Sequence, residues 1–482
     1  MCAKDSSATT YLIVVLTLAA TVLQISFLGS KSLWFDETLS AYRAGLPIRP
    51  LLHVITHGQM NMSLYYLMLK VWTSIAGTSE FMLRLPSALF AVGTIPLIYT
   101  LGTELCDRRT GLLAALLVTI NATFIQYGQT ARSYSMLVAL VTLASAFFVR
   151  GVKRGTMASE VGYVASGTLS IYAHLFGIFA LPSQWLSLFL FRPARKISTG
   201  LIACMLMIGI LSVPAFYFAI AGDFGNEAWV ARTSLDSVRQ LSFIFAGASD
   251  GRVNSLTIAL TALYGVGITL AILWTPRSDW AATGYALLSL CVPIGLAIVV
   301  SLVKPLFVAR YFLAELPFFA LLAALGFQCL RPGFSIAMVI AISTLSLAQD
   351  YSYYSAGPLE DWRGTVQLVA SRSQLTDPLV IYPGFCSTAV EYYASRLRHP
   401  ETFPARLLTE PSGRRKAENI ERLLASSGIG VGGRIWFVVR SADLLRETTN
   451  GNTSLPSMLR DLRVIDESDL VGLRVFLLER AR

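Results

Sequence analysis

Ser32-Leu33-Trp34-Phe35-Asp36-Glu37-Thr38 sets two carboxylates side by side just beyond an apolar run, Tyr11 to Leu28. A run of that length reads as a membrane span, and an ionisable pair at its end is costly to hold near lipid. Such a pair is a functional-site candidate by default. The competing reading is a solvated acidic turn at a helix end. The rest of the chain decides between them.

Composition puts the chain in a membrane. Of 482 residues, 54% are hydrophobic and 14% charged, with a mean hydropathy of +0.59. A soluble domain carries about 25% charge. The apolar residues recur in runs of about 17 to 24, which is bilayer length for a helix. The first run is expected to stay in place as a span. Met1-Cys2-Ala3-Lys4-Asp5 is weakly basic, and no small-residue cleavage pattern precedes Trp34.

Eleven spans are expected, at 11–29, 84–103, 111–127, 133–149, 159–173, 175–191, 200–220, 255–274, 280–303, 306–328 and 333–350. The fifth and sixth are short, and read either as two spans or as one broken hairpin. A polar tail, 351–482, follows. Much of the net charge of +10 lies in short connections: Arg108, Arg109, Arg150, Lys153, Arg154, Arg192, Arg195, Lys196, Arg277 and Arg331. With all of these in the cytoplasm the spans alternate without contradiction. The amino terminus is then inside, and Asp36, Glu37 and the tail are outside. This charge orients a membrane protein and does not point to nucleic acid. The six cysteines have no paired spacing and read as small hydrophobes. No Gly-rich phosphate loop, HExxH or GxSxG is present.

Two outer loops stand out. In 46–77, the run Ser63 to Trp72 is apolar and aromatic but short. Counting it as a span would turn every basic loop outward, so helices lying in the outer interface are expected there. Pro47 and Pro50 interrupt the approach to it. The second loop, 221–254, carries Asp223, Glu227, Trp229, Arg232, Asp236, Arg239, Asp250 and Arg252 around the apolar patch Leu241–Ala246. It reads equally as a lid or as a plain connection. The tail, 351–482, reads as a small α/β domain. Strands are expected at 378–382, 434–439 and 473–478, and helices at 389–396 and 415–426, the latter with Ile420, Leu423 and Leu424 on one face.

The same topology gathers unusual polar residues at the outer face. They are Arg84, Gln129, Arg132, Ser133, Tyr134, Tyr172, His174, Lys304, Arg310 and Tyr311, with Asp36 and Glu37. Carboxylates beside several cations suit an anionic, membrane-held substrate such as a lipid phosphate. Arg and Lys would balance its charge and stabilise it as a leaving group, and a carboxylate would serve as general base. The alternatives are ordinary headgroup snorkelling for the cations, interfacial belt positions for Tyr134 and Tyr311, and a hydrogen-bonded structural role for His174.

These stretches, taken in order, resemble the GT-C-fold glycosyltransferases of the ArnT and protein O-mannosyltransferase-like group, glycosyltransferase family 39. The resembling segments are Leu33-Trp34-Phe35-Asp36-Glu37, Leu64-Tyr65-Tyr66-Leu67 with Trp72, and Arg84-Leu85-Pro86-Ser87-Ala88. They continue with Gln129-Thr130-Ala131-Arg132-Ser133-Tyr134-Ser135, Lys304-Pro305, Arg310-Tyr311 and Asp361-Trp362-Arg363. The resemblance covers nearly all of 1–363. It implies a GT-C-like polytopic helical fold with interfacial helices at 46–77. It also implies a sugar donor carried on polyprenyl (undecaprenyl-type) phosphate, inversion at the anomeric centre, and a catalytic Asp matched by Asp36, with Glu37 beside it. The acceptor would be an envelope glycolipid, polysaccharide or protein at the outer face of the cytoplasmic membrane. Many members carry a Pro-Pro element before Leu-Tyr-Tyr, and here that place reads Asn61-Met62-Ser63. Related enzymes can hold a divalent metal. Asp36, Glu37, His53 and His57 could supply ligands, but they show no defined ligand spacing. A transporter or flippase with an outer receptor domain, a glycan-chain ligase or polymerase, and an inactive scaffold remain as alternatives. A transporter would show repeated halves or broken helices at mid-depth, and no such repeat is visible.

Overall fold

The computed structural model describes residues 2–57, 60–191, 199–221, 230, 232–276, 280–404, 406–409, 432–441 and 462–480. The chain forms two compact units. One holds Met1–Leu28 and Leu46–Ala356, and the other holds Gly29–Gly45 and Gly357–Arg482.

The first unit is a helical bundle. Among the described residues, eight helices are long and apolar enough to cross a membrane, and a bent pair brings the number to nine. The expected eleven is therefore not reached. The shortfall lies at 159–191. Here a 17-residue helix, Met157–Ala173, is followed by a 3-10 turn, Leu175–Phe179, and an eight-residue helix, Ala180–Ser187. His174 breaks the run by adopting extended backbone, and its side chain caps the turn that follows. The expected span 111–127 is also broken. Asn121 accepts the Phe124 N–H at 3.0 Å and donates to the Phe245 carbonyl at 2.9 Å. The helix Arg108–Thr119 thus stops, and Ala122–Gly128 restarts at 68° to it. The expected span 306–328 opens as a 3-10 turn, Ala309–Glu315, and becomes α-helical only at Leu316.

Packing grades these helices by position. Ala309–Gln328 is 94% buried along its apolar window, whereas Ala8–Ile25 is 11% buried. The first is the core of the bundle, and the second turns its apolar side chains outward, as a lipid-facing helix does. The core helix lies very close to the Ser255–Trp274 helix. A Cβ on Gly326 would fall 1.7 Å from the Gly267 carbonyl oxygen, so only glycine fits.

The segment 46–77 forms helices at Ile48–His57 and Ser63–Ala76. Met62, in left-handed backbone (φ 68°), precedes the second. Tyr65, Tyr66 and Leu69 are buried, while Val71 and Ile75 point out. Trp72 donates from Nε1 to the Met82 carbonyl at 2.8 Å. Pro86, inside the Glu80–Leu105 helix, lacks the N–H that would otherwise reach that carbonyl four residues back. The tryptophan supplies the missing donor. In the second outer loop, the expected patch becomes the end of a helix, Leu235–Phe245, with Leu241, Ile244 and Phe245 buried. Phe245 packs on Phe319 at 5.4 Å. Asp223, Glu227 and Trp229, and the basic residues Arg192, Arg195, Lys196 and Arg277, lie outside the described residues.

The second unit is built on a five-stranded mixed sheet of β1 (Leu379–Tyr382), β2 (Leu407–Thr409), β3 (Arg434–Arg440), β4 (Leu462–Leu470) and β5 (Leu473–Arg480). Its order is β2-β1-β3-β5-β4. β1 runs parallel to β2 and β3, and β5 runs antiparallel to β3 and β4. Val380, Tyr382, Ile435, Phe437, Val439, Phe476 and Leu478 form one hydrophobic cluster on it. β4 and β5 join through Val471-Gly472. Gly472 has φ 75°, and a Cβ there would meet the Leu359 carbonyl at 2.5 Å. The helices Trp362–Arg372 and Ser387–Ala394 complete the unit. The expected helix at 415–426 lies outside the described residues. The residues Gly29–Gly45, adjacent in sequence to the first span, belong to this unit.

Candidate active site

Within the first unit, four of the residues singled out above, Arg132, His174, Arg310 and Tyr311, come together around a fifth, Tyr134. This tyrosine opens the Tyr134–Arg154 helix and is fully buried. Its hydroxyl accepts the Arg310 Nε–H at 2.9 Å. Its ring lies 6.0 Å from His174 and 6.4 Å from Tyr311, and His174 and Tyr311 are 4.7 Å apart. Phe176 closes on Tyr311 at 5.0 Å. Arg132, two residues before Tyr134, donates from Nη1 to the Tyr66 hydroxyl at 3.1 Å. Ser87 donates to the Arg132 carbonyl at 2.9 Å and meets the Tyr65 hydroxyl at 3.0 Å. Two half-buried guanidiniums are thus oriented by tyrosine hydroxyls. Aimed cations of this kind can hold the oxygens of a phosphate.

His174 is the neutral member of the group. Burial first, and then the charges of Arg132 and Arg310, push its pKa down to about 3. Its Nδ1 faces the Phe176 N–H at 3.3 Å and its Nε2 faces Asn61 Nδ2 at 3.4 Å. Because Nδ1 accepts the Phe176 N–H, the neutral ring carries its hydrogen on Nε2, and a second ring proton at Nδ1 would point at a donor. Asn61 also accepts the Leu175 N–H at 3.1 Å. Asn61 and Tyr66 act here as supports, a role that sequence reasoning did not assign. Their only signal was their place beside the Leu-Tyr-Tyr run.

The other expected contacts have different surroundings. The Gln129 amide is taken up by structure. Nε2 donates to the carbonyls of Leu23, Gln24 and Ser26 at 3.1, 3.1 and 2.8 Å, and Oε1 accepts from the Tyr353 hydroxyl at 2.9 Å. It closes the carboxyl end of the Cys2–Ile25 helix. Arg84 is buried and donates from Nη1 to the Leu28 carbonyl at 2.9 Å. Lys304 lies, half-buried, in the turn between Trp280–Ser301 and the 309–315 turn.

The carboxylate pair belongs to the second unit. Asp36 and Glu37 sit in the first turn of the helix Phe35–Gly45, where the helix dipole favours negative charge. Glu37 is buried, and its Oε2 turns back to accept the Trp34 N–H at 3.3 Å. This is the carboxylate half of a capping box. Asp36 is partly exposed. The turn that carries them is held by the carboxyl-terminal part of the chain. Leu33 N donates to the Tyr393 hydroxyl at 2.7 Å, Phe35 N to Glu360 Oε2 at 2.9 Å, and Arg363 to the carbonyls of Ser30 and Gly29 at 3.1 and 3.3 Å. Among the described residues, no three His, Cys, Asp or Glu side chains are arranged to hold a metal ion. His53 and His57 stack on one another at 4.1 Å.

Comparison with known proteins adds the fold. A family model described as dolichyl-phosphate-mannose-protein mannosyltransferase matches residues 63–222. No curated protein matches in sequence. Among solved structures, ArnT from Cupriavidus metallidurans in the apo state superposes with a TM-score of 0.58 at 13% identity, covering 98% of each chain. The chain has the GT-C fold. ArnT bound to undecaprenyl phosphate gives 0.56 at 13% identity, covering 97% of this chain and 98% of that one. The apo oligosaccharyltransferase of Archaeoglobus fulgidus gives 0.59 at 12% identity, covering 98% of this chain and 74% of that one.

Proposed function

We propose that the protein is an inverting glycosyltransferase that moves a sugar from a polyprenyl-phosphate donor to an envelope acceptor at the outer face of the cytoplasmic membrane. The observation that carries this reading is the half-buried pairing of Arg132 with Tyr66 and of Arg310 with Tyr134 in a GT-C fold. Two neighbours of that fold add weight. One is ArnT bound to undecaprenyl phosphate, and the other is the archaeal oligosaccharyltransferase AglB in complex with a dolichol-phosphate.

In this reading the acceptor hydroxyl attacks the anomeric carbon from the face opposite the phosphate. The new C–O bond forms as the bond to the phosphate oxygen breaks, and the electron pair leaves with the lipid phosphate. Asp36 takes the hydroxyl proton as general base. Arg132 and Arg310 meet the charge that grows on the departing phosphate, while Tyr134, His174 and Tyr311 wall the site. The transition state is oxocarbenium-like, as in other glycosyl transfers. No nucleotide is needed, because the donor is already activated.

The test is transfer by the purified protein from a panel of polyprenyl-phosphate sugars to extracted envelope lipids, glycans and proteins, with Asp36→Asn run beside it. Product from the native chain and a loss of at least a hundredfold in the variant are expected. Equal rates would remove Asp36 from the base role. No product with any donor from a folded protein would favour a lipid or sugar transporter.

A further inference from the structure

Glu360 occupies a position that the proposed reaction does not yet use. It is buried, at 6% exposure, and two donors and a cation converge on its carboxylate. Oε2 accepts the Phe35 N–H at 2.9 Å and the Trp362 indole N–H at 2.7 Å. Oε1 lies 3.0 Å from Arg440 Nε in an ion pair. The Arg440 guanidinium also stands 5.6 Å from the centre of the Phe35 ring. Phe35 is the first residue of the helix that bears Asp36, so its N–H has no partner within that helix. A buried carboxylate from 325 residues away supplies one.

We propose that Glu360 is a positioning residue for Asp36. It fixes the first turn of the Phe35–Gly45 helix, and with it the direction of the Asp36 carboxylate. The inference rests on the reading of Asp36 as the base. Its logic is one of fixed anchors. Asp36 follows Phe35 directly, so a rotation of the Phe35 peptide re-aims the next side chain. The Phe35 peptide is locked on its N–H side by Glu360 and on its ring side by Arg440 and by Phe385, 4.8 Å away. Glu360 is itself held by groups of two further elements, Trp362 at the start of its helix and Arg440 at the end of β3. The anchor is therefore rigid, and a base must keep its aim to within a fraction of an ångström to serve in a displacement. A glutamine at 360 keeps the shape but replaces one accepting oxygen with an amide NH2. That group points a donor at donors, either at Arg440 or at Phe35 and Trp362.

The experiment is a cycle of four full-length proteins in detergent or nanodiscs: native, Glu360→Gln, Asp36→Asn and the double variant. Each is assayed for transfer from the donor that the native chain uses. Amide exchange is followed across residues 33–38 and across β3 and β5. The expected result is a loss of at least tenfold in kcat for Glu360→Gln in the Asp36 background. No further loss is expected when Asp36 is already Asn. Exchange should speed at least tenfold in 33–38 and stay unchanged in β3 and β5. A role confined to stability would lower both backgrounds alike, or speed exchange throughout the sheet, and either result overturns the proposal. Unchanged exchange in 33–38 overturns it as well, even where Asp36→Asn leaves too little turnover to measure. Trp362→Phe, which removes one donor but keeps the Phe35 contact, provides a second folded variant with a smaller loss in kcat. Failure of the reading beneath is separate: Asp36→Asn would then turn over at the native rate, whatever Glu360→Gln does.

Discussion

Removing a single oxygen, in Tyr134→Phe, tests the proposed phosphate site directly. The Tyr134 hydroxyl accepts the Arg310 Nε–H at 2.9 Å, and the tyrosine is fully buried. The phenylalanine ring fills the same space and keeps its packing on His174 and Tyr311. The change therefore removes the acceptor that orients Arg310 and little else. A hydrogen bond to a charged group contributes about 1.5–3 kcal/mol. If all of that is spent aiming the guanidinium at the leaving phosphate, the rate falls by about 10- to 150-fold. The charge remains and only its aim is lost, so the fall should appear in kcat rather than in KM for the donor. Steady-state transfer with a polyprenyl-phosphate sugar, at saturating acceptor, measures both. The pair must also be coupled: in an Arg310→Ala background, Tyr134→Phe should cost less than threefold. The reasoning is refuted if Tyr134→Phe turns over within twofold of the native chain, or if it costs the same with and without Arg310.

Two further outcomes follow from the same geometry. His174 has a folded pKa lowered to about 3, so below its unfolded value of about 6.5 the unfolded chain binds the proton and the folded chain does not. Its contribution is constant above that value and turns against the fold as pH falls through the window from about 6.5 to 3. The slope approaches about 1.4 kcal/mol per pH unit. Unfolding midpoints at pH 7.5, 5.5 and 4.5 should therefore fall more steeply for the native chain than for His174→Gln. Trp72→Phe should lower the unfolding midpoint by leaving the Met82 carbonyl without its indole donor, at a cost of about 1–3 kcal/mol. In a Pro86→Ala background, which returns a helical N–H to that carbonyl, the same substitution should cost less than half as much.

The legibility of this chain in its sequence follows physical lines. Long apolar helices such as Ser255–Trp274 and Trp280–Ser301 are specified by composition alone, because lipid requires only length and apolarity. The breaks at Asn121 and His174 are specified by single polar side chains that cap the next turn, and a hydropathy window averages these away. In the second unit β3 and β5 are legible as unbroken apolar runs. β4 is not, because Arg463, Asp466, Glu467 and Asp469 give it the charged character of an edge strand. The cluster of Arg132, Tyr134, His174, Arg310 and Tyr311 was accessible through topology, since alternating spans bring those ends to one face. Gln129 shared that placement but spends its amide on the carbonyls that end the first helix, a use that only coordinates reveal. Membership of Gly29–Gly45 in the second unit was hidden for another reason. Its partners, Glu360, Arg363 and Tyr393, lie more than 300 residues downstream.

The two adjacent carboxylates can be told apart without reference to any relative. Successive positions on a helix point about 100° apart, so two neighbours in a first turn cannot face the same way. Glu37, third in the helix, is the position from which a glutamate reaches back to the residue before the helix. It does so here, with the Trp34 N–H as its partner and almost no exposed surface. A carboxylate spent in that way holds the turn together, and would have to release it to take a proton from an acceptor. Asp36, second in the helix and shorter by one methylene, keeps part of its surface exposed. Its backbone carbonyl accepts the Ser40 hydroxyl at 3.1 Å, and the Thr38 hydroxyl bonds to the Phe35 carbonyl at 2.8 Å. The turn around Asp36 is thereby braced on both sides. A base needs a rigid mount and an open approach. In this pair the glutamate contributes to the first, and the half-buried aspartate is the one proposed as the base.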